Sequence, residues 1–512
     1  MRTLLSIFRL IRAGLVLARA GAFDPAARTE QVPAAARLGL RILIALVGFR
    51  RPRPGHVPRG LADALERLGP SWIKLGQFLA TRADLVGAET RAELARLQDA
   101  LPPFPRKAAV ATVEDQLGAP IGELFAEFGE PVAAASIAQV HRAVTADGRT
   151  VAVKVLRPGI EDRFAADIHA FFLAARVAET FSKEARRLRL VTVVETLKSW
   201  VRHEMDLRLE AAAASELAET SAGDAFFHVP QPDWAGTARR VLTLEWIDGI
   251  PLTDTARVAA AGHDLSELAV RIIRLFLTHA TRDGYFHGDM HQGNLFLAED
   301  GTLSVVDFGL MGRLDRPTRR FLAEILYGFL ERDYARVAEV HFEAGYVPAD
   351  RSRAAFAQAL RAVGEPIFGR EARDISMGRV LTQLFETTEA FGMETQPQLL
   401  LLQKTMVTVE GVARELDADV NMWEAARPVV AAWMVENIGP EGRLRSAARD
   451  AGLLIDALPE IVEGARQLAR ASGPDGLRLA APVSGQGTRR TIRDLVLLGA
   501  GAGIALIATL LA

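Results

Sequence analysis

Not one cysteine occurs in the 512 residues, which excludes disulfides, thiol nucleophiles and cysteine-based zinc sites and fits a reducing compartment. Excess charge is missing as well. Lysine and arginine number 61 against 63 aspartates and glutamates, a formal net charge of -2, so no bulk positive field argues for nucleic acid as the main partner. No solenoid-type repeat is visible. No early apolar run reaches the length of a secretory signal, because Arg9, Arg12 and Arg19 interrupt it. What remains is a chain that is 49% hydrophobic and 24% charged, the balance of a folded protein rather than a disordered one. Its length implies two to four structural units and a large core.

Charge is unevenly spread within that balance. Residues 1–59 carry eleven arginines (2, 9, 12, 19, 28, 37, 41, 50, 51, 53, 59) against Asp24 and Glu30. MRTLLSIFRLIRAGLVLARAG sets its arginines among apolar residues, so it forms either an amphipathic helix on an anionic membrane surface or a basic helix packed on the protein's own body. At the other end, the run from Leu495 to Ala512 holds 18 residues without a charge, a reach of ~27 Å as a helix and close to a bilayer's hydrocarbon thickness. Arg489, Arg490 and Arg493 precede it, which predicts a C-terminal anchor over 489–512 with the body on the cytoplasmic side of the inner membrane. The alternative is a buried apolar tail. Gly499 and Gly503 form a small-xxx-small pair that allows two such helices to meet as a homodimer.

Between the ends the texture changes twice. Residues 60–117 carry apolar residues at helical spacing, broken by Pro102, Pro103 and Pro105. From about 119 to 156 the runs are short and strand-like, with Asp147-Gly148 as a hairpin turn. Helical patterns return from about 160 to 222, the strand VLTLEWIDG follows, and helix dominates beyond it. The expected class is therefore α+β, with a strand-rich region (118–247), a helical region (248–440), and further helices and a linker (441–488) before the anchor.

VAVK ends in Lys154, late in a strand, where an unpaired ammonium is costly. It is either an edge lysine reaching water or the partner of a carboxylate on the downstream helix, Glu204 or Glu210. FHGDMHQGNLFLAEDGTLSVVDFG, residues 286–309, sets Asp289, Asn294 and Asp307 around a loop and a return over Asp300-Gly301. Hard oxygens from Asn294 and Asp307 suit Mg²⁺ held against phosphates. Asp289 is then positioned to orient or deprotonate an acceptor hydroxyl, and with Lys154 the set matches what phosphoryl transfer requires. A rival grouping of His287, Asp289 and His291 as a hydrolytic metal site gives no role to Asn294, Asp307 or Lys154.

Taken together, Lys154 in VAVK, the Asp289 to Asn294 loop and Asp307-Phe308-Gly309 resemble the protein-kinase-like superfamily, and HGDMHQGN is also similar to the loop of aminoglycoside and choline kinases. WIKLGQFLATRADL and LARLQDALPPF look like the KxGQ element of the UbiB family of atypical kinases (aarF-domain-containing kinases), and PVAAASIAQVHRA like its alanine-rich loop. With LLQKTMVTVEGVARELD the match runs from about 60 to 440 and is nearest the bacterial branch associated with ubiquinone biosynthesis.

The resemblance implies a bilobal kinase-like fold with an N-terminal helical extension, and it assigns roles. Lys154 would hold nucleotide phosphates and pair with Glu210, Asn294 and Asp307 would bind Mg²⁺, and Asp289 would be the catalytic aspartate. The backbones of Glu245 and Ile247, beside Leu244, would meet the adenine of ATP. Lys74 and Gln77 would cover the place where a protein kinase receives its peptide. Where a protein kinase has glycines over the phosphates, Ala133, Ala134 and Ala135 stand here, so backbone approach is more restricted; Ser136 is a further candidate contact. No long activation segment follows Asp307. These departures imply an ATPase or a small-molecule or lipid kinase, and the resemblance implies that it acts near membrane lipid on a prenylated quinone precursor, with other enzymes of ubiquinone synthesis as partners. The competing expectation is a non-catalytic, nucleotide-gated lipid-binding protein.

Overall fold

The valine alternation in TVAVKVL becomes the middle of a sheet. The computed structural model describes residues 2–19, 60–80, 101–368 and 397–439, with short stretches between 86 and 97, between 383 and 393, and at 472–473 and 476–477. These fall into two compact units. One is drawn from Met1–Gly249, Thr302–Gly309 and Ile492–Ala512, the other from Ile250–Gly301 and Leu310–Thr491. The basic segment beyond Arg19, the linker near residue 485 and the expected anchor over 489–512 lie outside the described residues. Among the described residues, no helix is long and apolar enough to cross a membrane.

In the first unit, strands β1 (Phe125–Ala134), β2 (Ala138–Thr145), β3 (Thr150–Leu156) and β4 (Val241–Glu245) form an antiparallel sheet in that order. Strand β3 is therefore central, and the edge-lysine reading of Lys154 fails. The β2–β3 turn uses the expected Asp147-Gly148: Gly148 sits at φ +87, and the Asp147 carboxylate accepts from the Thr145 hydroxyl and from Arg149 Nε. Val151, Val153 and Val155 bury one face of β3 with Phe125, Phe128, Ala109 and Val113, so Lys154 projects from the other.

Seven labelled helices belong to this unit: α1 (Arg2–Arg19), α2 (Leu61–Leu68), α3 (Pro70–Ala80), α4 (Arg106–Leu117), α5 (Ile160–Phe181), α6 (Leu190–Glu204) and α7 (Leu207–Thr220). Helix α4 supplies Ala109 and Val113 to the valine face and stops at Gly118, in the left-handed region at φ +74. Helix α1 settles its two alternatives on one face only. Leu10 packs against Ala170 and Ala174 of α5, and Arg9 pairs with the buried Asp167 at 2.6 Å, while Leu4, Leu5 and Phe8 remain exposed. Chain direction turns between α6 and α7 at Asp206, whose carboxylate caps α7 by accepting from the Arg208 amide. Phe227–His228 pairs in parallel with Leu303–Val305, which carries the segment ending at Gly309 into this unit.

The second unit is organised around α8 (Leu265–Thr278), capped by Asp264, which accepts from the amides of Ser266 and Glu267. Buried Leu268, Ile272, Ile273 and Phe276 give it an apolar face. It packs against α12 (Pro397–Leu416) and α13 (Met422–Ile438). Helices α9 (Arg316–Leu330), α10 (Tyr334–Glu343) and α11 (Arg353–Phe368) follow the Met311–Arg313 strand. The expected early return to helix after Asp307 is present, with Asp315 as the cap, accepting from Thr318 N at 2.9 Å. Tyr285–His287 pairs antiparallel with Met311–Arg313, and the loop from Gly288 to Asn294 leaves from the end of that strand.

Candidate active site

The lysine projecting from the central strand meets two carboxylates. Lys154 Nζ lies 2.8 Å from Glu210 Oε1 and 3.0 Å from Asp307 Oδ1. Glu210 stands in the first turns of α7, and its 8% side-chain exposure contrasts with 50% for Asp307. Two anions outweigh the burial that disfavours an ammonium, so Lys154 is held above its ordinary pKa. Burial, with Asp307 alongside, pushes Glu210 up to about 7 despite the lysine. Asp307 sits at φ +66, a conformation aspartate tolerates better than most residues, and Gly309 follows with its backbone close to the Asp307 carboxylate.

The other carboxylate candidate for Lys154, Glu204, is taken by a different lysine. Lys74 Nζ is 3.1 Å from Glu204 Oε2 and 3.3 Å from Oε1, both side chains nearly buried, and the ammonium lies 5.6 Å from the Trp200 ring. Gln77, one turn further along α3, is half-buried. Gly76 between them has a packing reason: a Cβ there would meet Leu97 at 2.3 Å and Leu65 at 2.8 Å.

The alanine-rich loop is drawn tight. Ala133 and Ala134 close β1, the Ala135 amide donates to the Ala138 carbonyl at 2.8 Å, and the Ala135 carbonyl accepts from Arg157 Nε and Nη2 at 3.1 and 2.8 Å. The same Nη2 reaches the carbonyls of Leu101 and Pro102, and the guanidinium lies over Phe104. Sequence reasoning missed this clamp. Ser136, the further candidate contact, is fully buried here. Gln139 and His141 extend the tie. Gln139 brackets the Phe104 backbone at 2.9 and 3.2 Å and His141 Nε2 at 2.8 Å, while His141 Nδ1 donates to the Gly129 carbonyl. Burial keeps this imidazole below its usual pKa. At the end of β4, Glu245 N–H already donates to the Gln231 carbonyl at 2.9 Å, so its carbonyl is the atom it would offer an adenine edge. Ile247 follows two residues later.

In the second unit, Asp289 and Asn294 share one loop. Asn294 Nδ2 donates to the Asp289 carbonyl at 3.0 Å. That orients the amide with its nitrogen inward and leaves oxygen as the atom it would present to a hard cation, so the residue fits an Mg²⁺ role. The exposed, anionic Asp307 fits it as well. The hydrolytic metal grouping fits poorly. His287 Nδ1 and His291 Nδ1 already accept from the amides of Asp289 and Gly293 at 3.1 and 3.0 Å, spending lone pairs that a metal would need. A residue that spacing gave no hint of joins this loop: Lys404 Nζ of α12, 3.0 Å from Asp289 Oδ1.

Residues 96–341 match the ABC1 atypical kinase-like domain and residues 360–421 the UbiB helical domain. The chain is 41% identical over 434 residues to the probable protein kinase UbiB of Marinobacter nauticus, covering 83% of this chain and 79% of that protein. It is 40% identical over 512 residues to the probable protein kinase UbiB of Pseudomonas aeruginosa, covering 97% and 94%. Among solved structures, the complex of Rv3197 with erythromycin from Mycobacterium tuberculosis is 26% identical, spans 71% of this chain and 93% of that one, and superposes with a TM-score of 0.48. Identity at this level over nearly the whole length has one explanation in descent, and the chain belongs to the UbiB family of ABC1 atypical kinase-like proteins.

Proposed function

We propose that this protein binds ATP with Mg²⁺ and transfers the terminal phosphoryl group to water or to a small lipid-like acceptor, in support of ubiquinone synthesis at the inner membrane. The observation that carries the reading is the contact of Lys154 with both Glu210 and Asp307. Glu210 is buried and locks the lysine's direction, while the half-exposed Asp307 is open to solvent beside it. Asn294 and Asp307 would hold Mg²⁺, which supplies charge neutralisation on the phosphates. Asp289 would accept the proton of the attacking hydroxyl. The membrane part of the reading rests on the uncharged run over 495–512 and on the exposed Leu4, Leu5 and Phe8 of α1 beside the exposed Arg12.

The test is ATP turnover by full-length protein in vesicles, with and without a prenylated phenol, together with quinone production in cells. Asp307→Asn is expected to lower both at least tenfold. Unchanged turnover and quinone levels in that variant would end this proposal. One observation favours a second reading, a nucleotide-gated lipid-binding protein: the alanine-rich loop is clamped by Arg157 with Ser136 buried. Restoration of quinone synthesis by an Asp289→Ala protein that still binds ATP would select it.

A further inference from the structure

Lys404 and Asp289 are 115 residues apart in sequence, yet their side chains meet at 3.0 Å, 42% and 35% exposed. An ion pair this open adds little stability, but its surroundings are built. The neighbouring Thr405, fully buried, donates its hydroxyl to the Gly288 carbonyl at 3.0 Å. One turn earlier, Leu401 closes on Gly288, where an added Cβ would meet Leu401 Cδ1 at 3.2 Å and the Leu310 carbonyl at 2.9 Å. Towards the helix's end Glu415 pairs with Gln292 of the same loop. Helix α12 is thus fixed against the loop on both sides of the lysine, and the contact is not the chance meeting of two long surface side chains.

We infer that Lys404 is a further catalytic residue, a cation that touches the transferring phosphoryl group. The inference rests on the function proposed above. A base takes a proton from an acceptor oxygen about 3 Å away, so an ammonium 3.0 Å from Asp289 Oδ1 lies within about 6 Å of that oxygen, a gap that the lysine's flexible four-carbon stem closes to reach the phosphoryl oxygens. In the step, the acceptor oxygen bonds to the γ-phosphorus and its proton passes to Asp289. The bond from phosphorus to the β,γ-bridging oxygen breaks, and ADP leaves with that electron pair. Negative charge spread over the phosphoryl oxygens in the transition state is what a fixed cation stabilises.

The experiment compares full-length wild type, Lys404→Met and Lys404→Arg in vesicles. It reads ATP turnover, ADP affinity by displacement of a fluorescent analogue, and affinity for ADP with aluminium fluoride as a transition-state mimic. Lys404→Met is expected to lower kcat 10- to 100-fold, keep ADP affinity within twofold and lose the extra affinity for the mimic. Lys404→Arg, which keeps the charge, is expected to retain at least a tenth of wild-type turnover. Three results overturn the inference: Lys404→Met with kcat within twofold of wild type, parallel loss of ADP affinity and thermal stability, or Lys404→Arg as inactive as Lys404→Met. Absence of turnover in the wild type would instead defeat the functional reading beneath it.

Discussion

Lys154 holds two carboxylates within 3.0 Å, so its neighbourhood carries an excess negative charge that only protonation or a further cation relieves. Glu210, pushed up to about 7 from an ordinary 4.5, is the group that responds. Its folded-state pKa is raised, so the folded protein binds this proton more tightly than the unfolded chain. Stability from this group is present below about pH 4.5 and is lost as pH rises towards 7. Urea unfolding at pH 5 and pH 7.5 is expected to show a steeper fall for wild type than for Glu210→Gln. His141 and His341, buried and held below their usual pKa, act in the opposite sense in both proteins and cancel in the comparison. The second lysine gives a sharper prediction. Lys74→Met removes the ammonium from the nearly buried Glu204 carboxylate and is expected to destabilise by about 1–3 kcal/mol. Adding Glu204→Gln is expected to recover much of that loss, and additive costs in the double variant would show that the pair is not coupled.

At the scale of elements, the glycines separate packing from propensity. Gly76 lies on α3 where any Cβ would overlap Leu97 and Leu65, so Gly76→Ala is expected to cost about 1–3 kcal/mol through overpacking. Gly411, within α12, has nothing within 4 Å of a built Cβ, so Gly411→Ala is expected to gain about 0.5–1 kcal/mol from helix propensity alone. Thermal unfolding of the two variants should move in opposite directions. Most elements were readable from local chemistry: the strand late in which Lys154 stands, Asp147-Gly148 in the turn, and the helical spacing of apolar residues after residue 60. Spacing left Glu204 and Glu210 both open to Lys154 and the family resemblance pointed to Glu210, but the pairing of Glu204 with Lys74 was not readable. Glu204 ends α6 and Glu210 opens α7, and the break at Asp206 reorients the chain, so six residues of sequence separate side chains bound for different partners.

For the molecule as a whole, α1 joins the two expectations made for it. One face packs on α5 through Leu10, and the other shows Leu4 and Phe8 at 72% and 67% exposure, too open to contribute to the core. Leu4→Glu with Phe8→Glu is expected to weaken sedimentation with anionic vesicles by tenfold or more while leaving the unfolding midpoint unchanged. A shifted midpoint with intact vesicle binding would assign that face to the fold instead.

Turns, caps and strand periodicity depend on a few neighbouring residues, and here the sequence alone determined them, together with the family and the identity of Lys154, Asp289, Asn294 and Asp307 as the residues to examine. Only tertiary structure gave Glu204 to Lys74, clamped the alanine loop with Arg157 and brought Lys404 onto Asp289. Each of these contacts joins side chains from different elements. Its existence depends on the rotation and packing of whole helices, set by burial summed over many apolar residues rather than by spacing along the chain.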